Sequence, residues 1–149
     1  MSQQIFFHQA DRKLTLSNKN QLKQFITILF TQENKALERL DYIFCSDEYL
    51  LTINQNHLQH DYYTDIITFD LSTDTKQPTI GEIYISIDRV KDNAIQHNTT
   101  FTQEILRVIF HGALHLCGYK DKSKAQAQQM RLKEEEYLRK YVSHDTVSW

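Results

Sequence analysis

Hydrophobic and polar residues alternate along parts of the chain with the two-residue period of a β-strand. The clearest alternation lies in residues 80–87, where Ile83, Ile85 and Ile87 occupy one face. Runs rich in β-branched and aromatic residues indicate further, buried strands. In all, strands are predicted at residues 5–16, 41–45, 65–70 and 80–87.

Other segments repeat their apolar residues at helical spacings of three and four. The first of these helices has Ser17 as its predicted N-cap, and its apolar stripe comprises Leu22, Phe25, Ile26, Leu29 and Phe30. A short helix capped by Ser46 or Asp47 follows, with Leu50, Ile53 and His57 on one side. Further helices are predicted at residues 88–98, 102–117 and 123–141.

The last two helices differ in how much of their surface is apolar. The helix at 102–117 is apolar nearly all round, so we expect it to be buried on most sides. The final helix has one stripe that encloses Glu134 and comprises Ala127, Met130, Tyr137, Leu138 and Tyr141. Together the elements predict an α+β fold in a single domain, residues 1–149. A small mixed four-stranded sheet would pack with about five helices, the central one buried.

The composition sets only broad limits on function. Seventeen basic and 19 acidic residues give a formal net charge of −2, so bulk charge does not indicate a nucleic-acid-binding protein, although it leaves room for a local basic patch. Cys45 and Cys117 are too few for a disulfide scaffold. The N-terminus lacks a signal-peptide pattern, and the apolar run FITILF is far shorter than the ~20 residues of a membrane span. We therefore expect a cytoplasmic protein without a membrane partner.

The stretch HGALHLCGYKD, residues 111–121, carries the most distinctive chemistry. His111 and His115 lie four residues apart on one helix face, where two imidazoles can bind one metal ion. Gly118 suits the end of that helix, after which Asp121 can fold back and offer a carboxylate oxygen. Three protein ligands leave an open coordination position, which is typical of catalytic zinc, and a water bound there can have a pKa of about 7.

The same stretch is compatible with a simpler interpretation, in which both histidines are core side chains bonded to main-chain carbonyls. Gly112 stands where the H-E-x-x-H protease motif has its glutamate, so that mechanism would lack its base. Because Gly112 has no side chain beside His111, we expect room there for a partner or substrate. Cys117 is expected to be a small core residue rather than a nucleophile.

The stretch resembles the H-G-x-L-H-L-x-G-Y-D-H signature of the YbeY family of bacterial metal-dependent endoribonucleases. Further similarity to family motifs is found at Asn54 with residues 64–69, at residues 81–86, and at the pair Met130 and Glu134. These matches extend over about residues 50–138. The resemblance implies a single-strand-specific endoribonuclease that acts in maturation of the 3′ end of small-subunit rRNA and in ribosome quality control.

The resemblance also implies a metal site. His111 and His115 would be the first two ligands, and Asp121 occupies the position of the family's third histidine. Aspartate is a sound zinc ligand, but two histidines and a carboxylate also bind Fe(II). We predict one Zn²⁺ per chain, with Fe²⁺ or another divalent ion as the alternative. Its bound water would attack the RNA phosphodiester bond.

Three acidic residues are further candidates for the site. Asp65, Glu82 and Glu134 are predicted either to orient the ligand histidines or to line the substrate groove.

The family's phosphate-binding arginine corresponds to Leu58 in this chain. Positive charge would then have to come from His57, His60, Lys120 or Lys122. The two lysines flank the predicted metal site, where they would attract a phosphodiester backbone.

Three functions are compatible with these features. The first is a metal-dependent endoribonuclease, with rRNA, the small ribosomal subunit and assembly factors as partners. The second is a ribosome-assembly factor that binds RNA or protein, in which the metal is structural and nuclease activity is slight or absent. The near-neutral charge and Leu58 motivate this alternative. The third is a hydrolase of small molecules or peptides.

Overall fold

The computed structural model describes residues 3–60, 63–74 and 76–147, with side chains through Val142. The strands are β1 (Ile5–Gln9), β2 (Leu37–Cys45), β3 (Ile66–Asp70) and β4 (Thr79–Ser86). The helices are α1 (Lys19–Gln32), α2 (Asp47–Leu58), α3 (Ile87–Gln96), α4 (Phe101–Leu116) and α5 (Lys124–Val147). The predicted α+β class, with four strands and five helices over the described ranges, is confirmed.

The four strands form one mixed sheet in the order β1-β2-β4-β3. Strands β1, β2 and β4 are parallel, whereas β3 pairs antiparallel with β4 and lies at the edge of the sheet. The two faces are covered to different extents. One face contributes to the main core with α1, α4 and α5, and the other forms a smaller cluster around Cys45, Leu50 and Ile67 beside α2.

The N-terminal prediction is wrong in two places. The strand ends at Gln9 rather than at residue 16, because the chain leaves the sheet where Asp11 accepts hydrogen bonds from the main-chain N–H and the hydroxyl of Ser46. Ser17 does not cap α1. The cap position is Asn18, in the left-handed conformation at φ 55° and without a side-chain cap bond. The five residues of the predicted apolar stripe are all buried.

Smaller differences concern the ends of other elements. Ser46, and not Asp47, caps α2, since its Oγ accepts from the Tyr49 N–H at 3.1 Å. Ile87 is the first residue of α3 rather than the last of a strand. Ala127 is exposed because core packing of α5 begins only at Met130.

Helix α4 comes closest to the sheet at Gly112. A Cβ atom there would lie 2.8 Å from Ile83 Cδ1 and 3.0 Å from Ile66 Cδ1, so an added side chain would force these isoleucine side chains or the helix to shift. The expectation that Gly112 leaves room for a substrate is therefore wrong, because the two isoleucine side chains occupy that space. The glycine sets how deeply α4 sits against the strands.

Candidate metal centre

The last two turns of α4 carry both histidines of the motif. His111 and His115 are partly buried, with 15% and 30% of their side chains exposed, and their ring centroids are 4.9 Å apart. The rest of this helix is largely buried, as its apolar sequence predicted. The histidines therefore lie where a well-packed helix meets the molecular surface.

Gly118 ends this helix and reverses the chain. Its φ of +109° is a conformation that residues with a Cβ rarely adopt. The Gly118 N–H donates to the His115 carbonyl at 3.0 Å and the Tyr119 N–H donates to the Leu114 carbonyl at 3.1 Å, which is the Schellman pattern. The turn brings Asp121 back to the helix, as the glycine's position predicted.

The Asp121 carboxylate lies against both histidines. Its Oδ2 is 3.3 Å from His111 Nε2 and 3.5 Å from His115 Nε2, and ligand atoms of all three residues lie within 4.8 Å of one another. Ligands ~2.1 Å from a tetrahedral metal are separated by about 3.4 Å. The spacing and the donor types of this group are therefore suited to holding a divalent metal ion.

Glu134 of α5 contacts Nδ1 of His111, the ring nitrogen other than the one near Asp121. Its Oε2 is 2.5 Å from His111 Nδ1, and its side chain is only 4% exposed. Burial acts to raise the pKa of Glu134, but the hydrogen bond to His111 and the charge of Arg107 outweigh it and hold the pKa below its ordinary value. An ionised carboxylate at Nδ1 keeps the proton on that nitrogen and leaves Nε2 free on the Asp121 side.

Arg107 was not identified from the sequence, yet it joins this network one helical turn before His111. Its Nη1 donates to Glu134 at 2.9 Å, and its Nε and Nη2 donate to Glu104, which is 2% exposed. The two carboxylates offset burial and raise the pKa of Arg107 further. The spacing of residues 107, 111 and 115 on one helix face was the available signal, but its partners come from tertiary packing.

A cavity of about 580 Å³ opens beside the histidines, and we call it the site cavity. The lining residues come from helix α4 and the turn after it, from strand β3, from the C-terminal part of α2, and from residues 60, 64 and 65 between α2 and β3. Its lining includes Asn54, Leu58, His60, Thr64, Asp65, Ile66, Ile67, Thr68, Arg107, His111, His115, Asp121 and Lys122.

Asp65 is the second acidic residue of the cavity lining, besides Asp121. Burial raises its pKa, and the nearby positive charge of Arg107 only partly opposes this effect. Asn93 donates to its Oδ2 at 3.3 Å. Asp65 therefore lines the predicted groove, but it has no hydrogen bond to a ligand histidine among the contacts of the described residues.

The structure separates the other predicted site residues. Lys122 and His60 line the site cavity, as does Leu58. Lys120 lies instead in a separate depression beside Glu33 and Cys117.

Glu82 and His57 are also placed away from the histidines. The Glu82 side chain accepts a hydrogen bond from the Tyr84 hydroxyl at 3.2 Å and is not part of the cavity lining. His57 contacts the ring of Phe69 edge-on, with centroids 6.2 Å apart. The alternation along β4 explains the first case, because Glu82 projects from the sheet face opposite to Ile83, which meets α4.

No helix in the described part of the chain combines the length and hydropathy needed to cross a bilayer.

Comparison with known proteins shows similarity to endoribonucleases named YbeY. Residues 4–142 match the family model for Endoribonuclease YbeY. The Endoribonuclease YbeY of Cytophaga hutchinsonii is 46% identical over 134 residues, which cover 90% of this chain and 93% of that protein. The protein of the same name from Flavobacterium johnsoniae is 42% identical over 128 residues, covering 86% of this chain and 91% of the relative.

A solved structure supports the same similarity. The solution structure of a Thermotoga maritima protein superposes with a TM-score of 0.64 at 25% identity, covering 97% of this chain and 93% of that chain.

Proposed function

The chain belongs to the endoribonuclease YbeY family, and from this we propose that it is a metal-dependent endoribonuclease that cuts single-stranded RNA. The observation that carries the proposal is the His111, His115 and Asp121 group at the mouth of the site cavity. We further propose that it acts on the 3′ end of small-subunit rRNA and associates with that subunit. The alternative of an assembly factor with a purely structural metal is not favoured, since the relatives are named endoribonucleases.

In this proposal each residue of the site has a defined task. A divalent ion at such a group supplies Lewis acidity and an acidified water. His111 and His115 offer Nε2 atoms and Asp121 offers a carboxylate oxygen. Glu134 fixes the proton of His111 at Nδ1. Lys122 lines the cavity and provides positive charge for a phosphate backbone, in place of the family arginine whose position is taken by Leu58. Arg107 also lines the cavity, but its charge is paired with Glu104 and Glu134.

The proposed ion is Zn²⁺, one per chain, with Fe²⁺ as the main competitor because the donors are two imidazoles and one carboxylate. The first test is metal content by plasma mass spectrometry on protein purified without chelator or nickel. We expect about one metal per wild-type chain, since one three-residue group of this kind is found among the described residues. The Asp121→Ala variant should retain its fold and lose most of the metal.

Asp92→Ala is the matched control, since Asp92 is an exposed aspartate on α3 that takes no part in the group. It should bind metal as the wild type does. Full metal content in Asp121→Ala would exclude Asp121 as a ligand. Failure of the wild type to bind any metal on reconstitution would make His111 and His115 core histidines.

The second test is cleavage of an unstructured RNA oligonucleotide and of the same sequence in a duplex. We expect metal-dependent cleavage of the single strand and little of the duplex. The His115→Ala variant should lose activity because one of the three ligand atoms is gone. Equal activity in the wild type and His115→Ala preparations would indicate a contaminating nuclease and refute the proposal.

A further inference from the structure

Strand β3 leaves half of its main-chain hydrogen-bonding groups on the open edge of the sheet, and part of this strand lines the site cavity. In an antiparallel ladder, successive residues alternately direct both their N–H and C=O groups toward the partner strand or away from it. The Ser86 N–H donates to the Asp65 carbonyl at 2.9 Å and the Leu71 N–H donates to the Ile80 carbonyl at 2.7 Å. These two bonds show that the odd-numbered residues of β3 are the ones whose main-chain N–H and C=O groups form hydrogen bonds with β4.

The even-numbered residues Ile66, Thr68 and Asp70 consequently point their main-chain groups away from β4. Since β3 is the last strand of the sheet, no described strand lies on that side. The Ile66 carbonyl accepts from the Thr64 hydroxyl at 3.4 Å. Thr68, which lies in the cavity lining, has no main-chain hydrogen bond to any described residue. Its main-chain N–H and C=O therefore form an adjacent donor and acceptor that a ligand could bind.

The surroundings of Thr68 favour an anionic ligand with a flat polar edge. Lys122 lines the same cavity, beside the group proposed to hold a divalent cation. A phosphate backbone complements this charge. A nucleobase complements the main chain, because its Watson–Crick edge presents donors and acceptors in one plane. In a duplex those atoms are already paired, whereas in a single strand they are free.

We propose that the open edge of β3 at Thr68 binds the Watson–Crick edge of one unpaired base, which positions an adjacent phosphate at the His111, His115 and Asp121 group. This inference rests on the proposed function, because it concerns how the RNA of that reaction is held. It gives a physical reason for single-strand specificity: only a base without a pairing partner can exchange hydrogen bonds with the strand.

The deciding variant is Thr68→Pro, which removes the open-edge N–H without removing a ladder hydrogen bond. Asp70→Pro is its matched control, since Asp70 lies on the same open edge but outside the cavity lining. Thr68→Val is a second control that keeps the main-chain N–H. Thermal unfolding and metal content of all three verify that the fold and the metal group persist.

Binding is measured by fluorescence anisotropy with a short unstructured RNA that carries a single abasic site, moved along it one position at a time. EDTA prevents turnover, and single-turnover cleavage of the intact RNA is recorded in parallel without it. For the wild type, Thr68→Val and Asp70→Pro, we expect one abasic position to weaken binding by about tenfold. For Thr68→Pro, intact RNA should bind as weakly as that abasic RNA, and the abasic site should have no further effect.

The inference is overturned if Thr68→Pro keeps the wild-type affinity and abasic profile, or if it weakens binding while the abasic effect persists. Wild-type protein that binds RNA with the expected abasic profile but never cuts it would refute the proposed activity and leave the base site standing. Wild-type protein that binds no RNA would refute both.

Amide hydrogen exchange of the unmodified protein gives a second measurement in case Thr68→Pro does not fold. The Thr68 amide should exchange rapidly in the free protein and become protected when RNA is added. The neighbouring Phe69 amide belongs to the ladder and should exchange slowly in both states. Unchanged exchange at Thr68 in the RNA complex would contradict the inference.

Discussion

At the scale of single residues, the most consequential group is the Glu134 carboxylate. It shares its two oxygens between His111, at 2.5 Å, and Arg107, at 2.9 Å, while almost fully removed from solvent. Glu104 binds the other side of the Arg107 guanidinium. A buried chain of alternating charges of this kind is stable only while each member keeps its partner.

We expect Glu134→Gln to lower zinc affinity by about 10- to 100-fold, the usual effect of removing a carboxylate that orients a ligand histidine. The neutral amide cannot hold the proton of His111 at Nδ1 as firmly, and it leaves Arg107 with one charged partner instead of two. Zinc affinity is measured by competition with a chromophoric chelator. Glu135→Gln, at the exposed neighbouring position, should bind zinc as the wild type does.

At the scale of elements, the packing of α4 on the sheet depends on Gly112. In a free helix alanine is favoured over glycine by about 1 kcal/mol. Here the added Cβ would meet Ile83 Cδ1 at 2.8 Å and Ile83 Cγ2 at 3.0 Å. Overpacking of a core costs about 1–3 kcal/mol, so steric strain should outweigh the gain in helix propensity.

Gly112→Ala should therefore lower the free energy of unfolding by roughly 1 kcal/mol, as measured by urea denaturation. Ile83→Val deletes the Cδ1 atom that makes the shortest contact. The double variant Gly112→Ala with Ile83→Val should then lose less free energy of unfolding than the sum of the losses in the two single variants. Strictly additive effects would show that the contact does not limit the packing of α4.

At the scale of the whole molecule, Glu33 ties together three parts of the chain that are distant in sequence. It lies just after α1, and its carboxylate accepts hydrogen bonds from Tyr119 in the turn after α4, at 2.8 Å, and from Tyr137 of α5. Lys133 lies 3.5 Å away. This junction holds the turn that leads to Asp121 against the body of the molecule.

The junction should make stability depend on pH. Burial acts to raise the pKa of Glu33, but the hydrogen bonds from Tyr137 and Tyr119 and the charge of Lys133 lower it below its ordinary value. The unfolded chain, with a pKa of about 4.3 at this residue, then binds a proton more readily than the folded chain. The stabilisation by Glu33 is thus present above that pH and is lost as the pH falls through the folded-state pKa.

Urea denaturation of the wild type and Glu33→Gln, from neutral pH down to acid, checks this prediction. The wild type should be the more stable at neutral pH, and the difference should shrink once the carboxylate is protonated. Glu38→Gln, at an exposed position of β2, should show no such convergence. A difference between wild type and Glu33→Gln that stays constant with pH would contradict the prediction.

Much of the fold could be predicted because the signals are local. The apolar stripe of α1, the alternation along β4 and the left-handed glycine after α4 each depend on residues within a few positions of one another. The ends of elements were less predictable. Residues 10–16 read as a strand, but Asp11 binds Ser46, which lies 35 positions away.

The sequence by itself determined the α+β class, the histidine pair on one helix face, and the turn that returns Asp121 to that helix. These features depend on periodicity and turn chemistry, which involve only residues close together in the sequence. Only the tertiary structure decided that Arg107 and Glu134, 27 positions apart, support His111 while Glu82 does not. It alone decided that Gly112 serves packing and that β3 is an edge strand. These properties arise from the order of strands and the contacts between distant elements, which no local pattern encodes.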